Sequence, residues 1–308
     1  MQIMGLITAL PGAAAQGLIW GIMAIGVYIT FRILDIADLT VDGTLCTGGA
    51  VCIMMMLSGH NVWMSMLAAT GAGLLAGLAT GIFHTFMGIP AILAGILTQL
   101  SLYSVNLKIM GKANQAINVD KYNLLVSLRR VKGVTLTQNT LFIVAIMILL
   151  LIAVLYWFFG TELGCSLRAT GCNPSMSRAQ GINTDFNKVL GLMLSNGLVA
   201  LSGALLTQYQ GFADINMGRG SIVIGLAAVI IGEAIFSRIF RNFALRLLAV
   251  AFGSILYYLV LQTVIWMGID TDLLKMLSAL VVAVFLAVPY WKGKYFAKPA
   301  KRGGKNNA

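Results

Sequence analysis

The sequence predicts an all-α integral membrane protein with about nine transmembrane helices and an inverted internal repeat. Three observations carry this. Hydrophobic residues make up 59% of the 308-residue chain and charged residues 10%, a composition of membrane-spanning chains rather than soluble domains. The apolar stretches are long and continuous. With about 20 apolar residues per crossing helix there is room for roughly eight to ten spans, and the alternating segments of a β-barrel are missing. Finally, "ADLTVDG" at 37–43 recurs in altered form as "ADINMGRG" at 213–220.

In chain order, the apolar runs place spans at 13–31, 39–57, 63–85, 88–107, 139–159, 189–209, 221–236, 242–264 and 269–288. The first is preceded by no Lys or Arg, so it lacks the basic start of a cleaved signal peptide and reads as a retained span. In the third, Gly73, Gly77 and Gly81 recur every four residues. Lipid tails give no hydrophobic drive between helices, so such a small-residue stripe is a close-packing face. Trp63, Trp266, Tyr290 and Trp291 fall near span ends and read as interfacial anchors. His60 and His84 stand alone at span ends, and Cys46, Cys52, Cys165 and Cys172 show no CxxC spacing, which predicts neither a metal site nor a disulfide.

The net charge of +11 sits in short loops and in the tail that starts "YWKGKYFAKP", the distribution of a topology signal rather than of a nucleic-acid surface. A cytoplasmic tail and an odd span count put the N-terminus outside and the segments 160–188 and 236–242 inside, each with its own Arg or Lys. One segment dissents. The loop 108–138 falls outside although it carries Lys108, Lys112, Lys121, Arg129, Arg130 and Lys132. Either a span is miscounted or the charge serves an external purpose; long loops escape the charge rule more easily, so this loop is read as a surface for an acidic partner, with Arg129, Arg130 and Lys132 as docking residues. The organisation is one transmembrane domain, 1–298, and a basic cytoplasmic tail, 299–308.

The repeat aligns Gly26, Asp38, Gly43 and Gly48 with Gly203, Asp214, Gly220 and Gly225, with one gap. In the charge-derived topology Asp38 lies toward the inner face and Asp214 toward the outer, so the copies are upside down relative to each other. Oppositely facing bundles of that kind are a transport device. Asp38, Thr40, Asp42, Asp214 and Asn216 are the residues of the helix breaks or of the path they line. Simple capping of the following helices is the alternative, and the two are compatible because a break at membrane depth survives only under a cover of protein or water. Glu233 is costly in a span and joins this set; pairing with Arg238 or Arg241 is its structural alternative.

Between the fifth and sixth spans, "GTELGCSLRATGCNPSMSRAQGINTDFNKVLGL" at 160–192 is the most informative polar stretch. Asn173 is a good N-cap with Pro174 at the first helical position. The resulting short helix would stop at Gly181, which suits a left-handed C-terminal residue, and Asn183 would cap the return into the membrane. The loop is expected to present one brief helix.

The segments "LRATGCNPSMSRAQGINTDFNKV", "GSIVIGLAAVIIGE" and "DIADLTVDG" resemble the permeases of ABC importers of the branched-chain amino acid, ribose and basic-membrane-protein group. The last is similar to a sub-branch linked to aromatic amino acid uptake. The resemblance implies a bacterial cytoplasmic-membrane subunit that pairs with a second permease copy, binds separate ABC ATPase subunits and receives solute from an extracellular binding protein. It implies that Asn173, Pro174, Ser175, Arg178, Ala179 and Gly181 form the ATPase-coupling contacts. No GxxxxGK[ST] occurs, so nucleotide chemistry must come from another chain. No His–Glu, Ser–His or Asp–Asp constellation lies in a span, so no enzyme and no cofactor are expected. An ion-coupled secondary transporter is the rival class, although it would call for more buried ionisable groups. A sugar or nucleoside is the rival solute.

Overall fold

A computed structural model describes residues 2–119, 122, 124–131, 139–236, 240, 242–267 and scattered positions between 273 and 287. Ten α-helices are described: α1 (Gln2–Tyr28), α2 (Val41–Leu57), α3 (Val62–Thr85), α4 (Ala91–Met110), α5 (Thr140–Gly160), α6 (Glu162–Cys172), α7 (Pro174–Ala179), α8 (Thr184–Gln210), α9 (Ser221–Phe236) and α10 (Phe243–Trp266). Six of the described helices are long and apolar enough to cross a membrane, while α2 and α9 are shorter apolar helices. The chain is an all-α multi-pass membrane protein. The ninth expected span, 269–288, falls largely outside the described residues, as do the tail 299–308, Trp291 and Tyr290.

The core is a crossing of α1 and α8, both buried nearly all round. Ser195 Oγ donates to the Gly26 carbonyl and Ser202 Oγ to that of Ile19, each at 2.8 Å, which fixes the two helices antiparallel. In a membrane such buried hydroxyls satisfy themselves on the neighbouring backbone, and they hold the helices close. The glycine stripe of α3 does what the sequence suggests. A Cβ at Gly73 or Gly77 would strike the α8 backbone at Asn196 or Leu192, so these helices touch main chain to main chain. On the other side α1 lies along α10, where a Cβ at Gly17 would meet the Ile255 Cα at 2.8 Å.

The outward faces are apolar, as lipid contact demands. On α4 and α5, Leu100 is 64% and Trp157 72% exposed. At one end of the bundle the chain after α4 and the chain after α8 form an antiparallel ribbon, β1 (Asn114–Ala116) with β2 (Phe212–Asp214). At the other end sit α6 and α7. A Cβ at Gly171 would run into the Ile33 carbonyl, so α6 is seated directly on the end of α1, where α1 finishes in a π-turn, Ile29–Ile33.

Two features depart from the expectation. The polar loop holds two helices rather than one, because Leu167 and Thr170 give α6 a buried face on its neighbours that its polar composition hides. And α8 begins at Thr184, ahead of the apolar run, because Asn183 caps it by accepting from the Asp185 and Phe186 amides.

Candidate functional site

The site is built where α2 and α9 begin. Thr44 near the start of α2 meets Asn196, almost halfway along α8, and Gly225 of α9 packs on Met23 and Val27 of α1. From there the helices run to opposite ends: Cys52 of α2 is reached by Gln208 near the ribbon, and Glu233 of α9 by Arg32 near α6. Both N-termini therefore lie inside the bundle, where backbone N–H groups need partners from the protein.

Those partners are the acids of the repeated phrase. Asp42 reaches across to α9: its Oδ2 accepts from the Gly220 amide at 2.9 Å, and its Oδ1 from the Ile222 amide at 2.9 Å and Ser221 Oγ at 2.8 Å. A carboxylate on the positive end of a helix dipole is stabilised by both charge and hydrogen bonding. The junction is close enough that a Cβ at Gly218 would meet the Asp42 carbonyl.

Asp38 serves its own side. Its Oδ1 accepts from the Thr40 amide at 2.9 Å and its Oδ2 from Asn196 Nδ2 at 2.7 Å, in a position only 2% exposed. Asn196 in turn accepts from Thr44 Oγ1 at 2.7 Å. Thr40 does not cap α2 with its side chain; its hydroxyl continues instead to Thr80 of α3 at 2.7 Å, and Thr80 donates to Thr98 of α4 at 2.9 Å. This buried polar chain ties the α1–α2 break to α8, α3 and α4. Asp214 makes the turn that Asp38 makes, accepting from the Asn216 amide at 2.7 Å, but in an exposed setting at the ribbon. The structure thus brings Asp38, Thr40 and Asp42 together and leaves Asp214 and Asn216 at one end and Glu233 at the other.

Glu233 accepts from Arg32 through both carboxylate oxygens, with contacts of 2.7–3.0 Å. Its expected partners, Arg238 and Arg241, lie outside the described residues. Sequence reasoning missed Arg32 here. The signal was available, since an Arg that ends one apolar run and a Glu that ends another at the same face are natural partners.

At the α7 end, Asn173 Oδ1 accepts from the Met176 amide at 3.0 Å, Pro174 occupies the first turn and Gly181 takes φ +81°. Arg178 is used internally, donating to Thr184 Oγ1 at 2.7 Å and pairing with Asp185 at 3.5 Å, which pins α7 on the start of α8. The outward face carries Pro174, Ser175, Ala179 and also Met176, 63% exposed, an apolar side chain in a polar helix that the sequence reading passed over. At the ribbon end, Leu124 and Val126 are buried, and the loop is tied down where the Leu125 amide meets Gln208 Oε1. Arg129 is exposed and borders a cleft with Tyr209 and Gln262, and Arg130 donates to the Leu124 carbonyl at 2.8 Å and is half-buried; Lys132 lies outside the described residues.

Glycine-sealed helices, half-length helices starting inside the bundle and a short helix held off one end define a multi-pass membrane transport subunit. The chain belongs to the family described as branched-chain amino acid transport system / permease component, whose model matches residues 10–288. It is 38% identical over 272 residues to a tyrosine transport system permease protein of Clostridioides difficile, covering 88% of each chain. It is also 26% identical over 248 residues to a fructose import permease protein of Bifidobacterium longum, covering 80% of this chain and 68% of that one. An autoinducer 2 import system permease protein of Yersinia pestis is 30% identical over 230 residues, 71% of this chain and 60% of that one. Among solved structures, PsaBC from Streptococcus pneumoniae in complex with Fab superposes with a TM-score of 0.54 at 18% identity, covering 96% of this chain and 98% of that one, a likeness of fold. The protein is an ABC importer permease subunit and not an enzyme; ATP is hydrolysed by a separate subunit.

Proposed function

We propose that this permease carries a hydrophobic α-amino acid, aromatic or branched-chain, across a bacterial cytoplasmic membrane by alternating access, paired with a second copy of itself. The observation that carries the mechanism is the meeting of α2 and α9 inside the bundle. An inverted repeat is supported by matched lengths: 27 residues for α1 and α8, 17 and 16 for α2 and α9, and 24 for both α3 and α10, the last two preceded by Asn61 and Asn242 in extended backbone. Under that repeat the halves can rock about the α1–α8 crossing and open one face at a time.

The drive enters through α7. Asn173, Pro174, Ser175 and Ala179, joined by Met176, form the surface offered to the ATPase, while Arg178 and Gly181 set its shape. Displacement of α7 passes to α6, to the end of α1 through the Gly171 contact, and to α9 through Arg32 and Glu233. Arg129 at the opposite end is offered to an extracellular binding protein. The amino acid solute is supported by the tyrosine-system relative; the fructose-system relative favours a sugar as the second reading, at lower identity.

Uptake into vesicles containing the permease, its ATPase and its binding protein tests the reading. ATP-dependent import of L-tyrosine or L-leucine is expected, and Arg129→Glu should remove stimulation by the binding protein. Import driven by a proton or sodium gradient without the ATPase, or import of D-fructose alone, would overturn it.

A further inference from the structure

Beside the α2–α9 junction, α4 borders a cleft of about 370 Å³ lined by Asp42, Cys46, Gln99, Tyr103, Asn106 and Arg219, among others. Gln99, Tyr103 and Asn106 recur at spacings of four and three, one face of α4. That face is anomalous on a helix whose exposed residues are mainly Leu, Ile and Val.

Two groups in this cleft are chemically unspent. Asn106 is only 1% exposed; its Nδ2 donates to the Gly43 carbonyl at 3.4 Å, but its Oδ1 has no partner among the described residues. A buried acceptor without a donor costs about 1–3 kcal/mol, a cost that a ligand N–H reaching it from the cleft would relieve. The Arg219 guanidinium is exposed and makes no hydrogen bond or ion pair among the described residues. Asp42, by contrast, is fully engaged, with both oxygens committed to the start of α9. Among the described residues the cleft therefore offers a free cation for an anion and a free buried acceptor for a donor, with Tyr103 and Leu100 as apolar and aromatic surface.

We infer that this cleft is a solute-contact site in the permease itself, which takes a zwitterionic α-amino acid: Arg219 meets the carboxylate, Asn106 Oδ1 accepts from the ammonium, and Tyr103 lies against the side chain. This rests on the amino acid reading above and assigns it to residues. A sugar has no carboxylate for Arg219, and an amine has no anion, so the site discriminates by charge pattern as well as by shape.

The test uses the full importer in vesicles with Cys165 and Cys172, both exposed, replaced by Ser, and Gln99→Cys, in the cleft lining, introduced as a reporter whose modification is read above that of the parent keeping the buried Cys46. The rate of its modification by a methanethiosulfonate reagent is read with L-tyrosine, with tyramine, which lacks the carboxylate, and with 3-(4-hydroxyphenyl)propionate, which lacks the ammonium. L-Tyrosine should slow modification about tenfold at concentrations where the other two have little effect, since each lost charged contact weakens binding by roughly that factor or more. Adding Arg219→Gln should abolish protection by L-tyrosine and Arg219→Lys should retain part of it; adding Asn106→Leu should weaken it similarly. An importer that carries L-tyrosine while position 99 is protected by none of the three compounds, or equally by all, overturns this assignment alone. An importer that carries D-fructose and not L-tyrosine overturns the amino acid reading and this assignment with it.

Discussion

Replacing Asp42 is the most direct perturbation of the helix junction. Asp42→Ala removes three hydrogen bonds to a carboxylate and leaves the Gly220 and Ile222 amides and the Ser221 hydroxyl without it. A hydrogen bond to a charged group is worth about 1.5–3 kcal/mol, and removal of an N-cap about 0.5–2 kcal/mol. Because the three bonds share one side chain and are not additive, the expected loss is about 3–5 kcal/mol. Asp42→Asn keeps one acceptor oxygen and should lose about half as much. At about 2–4 °C per kcal/mol for a mid-sized domain, Asp42→Ala should lower the melting temperature by roughly 6–20 °C and Asp42→Asn by roughly half that. With the exposed Cys165 and Cys172 replaced by Ser in every variant, the buried Cys46 and Cys52 let a thiol-reactive fluorophore in detergent report unfolding. Equal melting temperatures for wild type and Asp42→Ala would refute the view that the Asp42 carboxylate on α2 holds the start of α9.

Asn196→Leu should be more damaging than Asp42→Asn, because it strips the 2.7 Å donor from the buried Asp38 carboxylate; adding Asp38→Asn should restore part of the yield of monodisperse protein, and no restoration would argue against the pairing. Gly48→Val should block folding, since even a Cβ there would meet the Ala200 carbonyl, whereas Gly71→Ala, with nothing within 4 Å, should be silent in the same thermal assay. Met176→Glu should leave the melting temperature unchanged and cut ATP-driven uptake severalfold, with weaker co-purification of the ATPase; intact uptake would remove Met176 from the coupling surface. Glu233→Arg should reduce stability by about 0.5–1 kcal/mol, as half-exposed pairs do, and Arg32→Glu in the same chain should recover it.

Much of the bundle was legible in the sequence because apolar run length and glycine spacing report directly on helices in lipid. That Gly73 and Gly77 form a close-packing face was readable from their four-residue interval, although not that the partner is α8. The cap of α7 by Asn173 and the left-handed Gly181 were readable because those chemistries are local. What escaped depends on pairings distant in sequence. Nothing near Asp42 says that it serves residues 220–222, and Arg32 and Glu233, each at the end of an apolar run, pair only when two stretches far apart in the chain are compared. Likewise α6 reads as polar loop until the end of α1 supplies the surface that its Gly171 fits.

The π-turn that finishes α1 has a kinetic implication. Its Leu34 amide bonds back to the Ile29 carbonyl, so the stretch stores one residue more than a regular helix of the same rise. Moving that surplus along by one position swings each side chain it passes by about 100° without melting the helix. Arg32 sits within the surplus and α6 leans on its far edge, so a push from below can be taken up as a click in register, releasing or re-forming the grip on Glu233, rather than as a bend spread over the whole membrane-crossing rod.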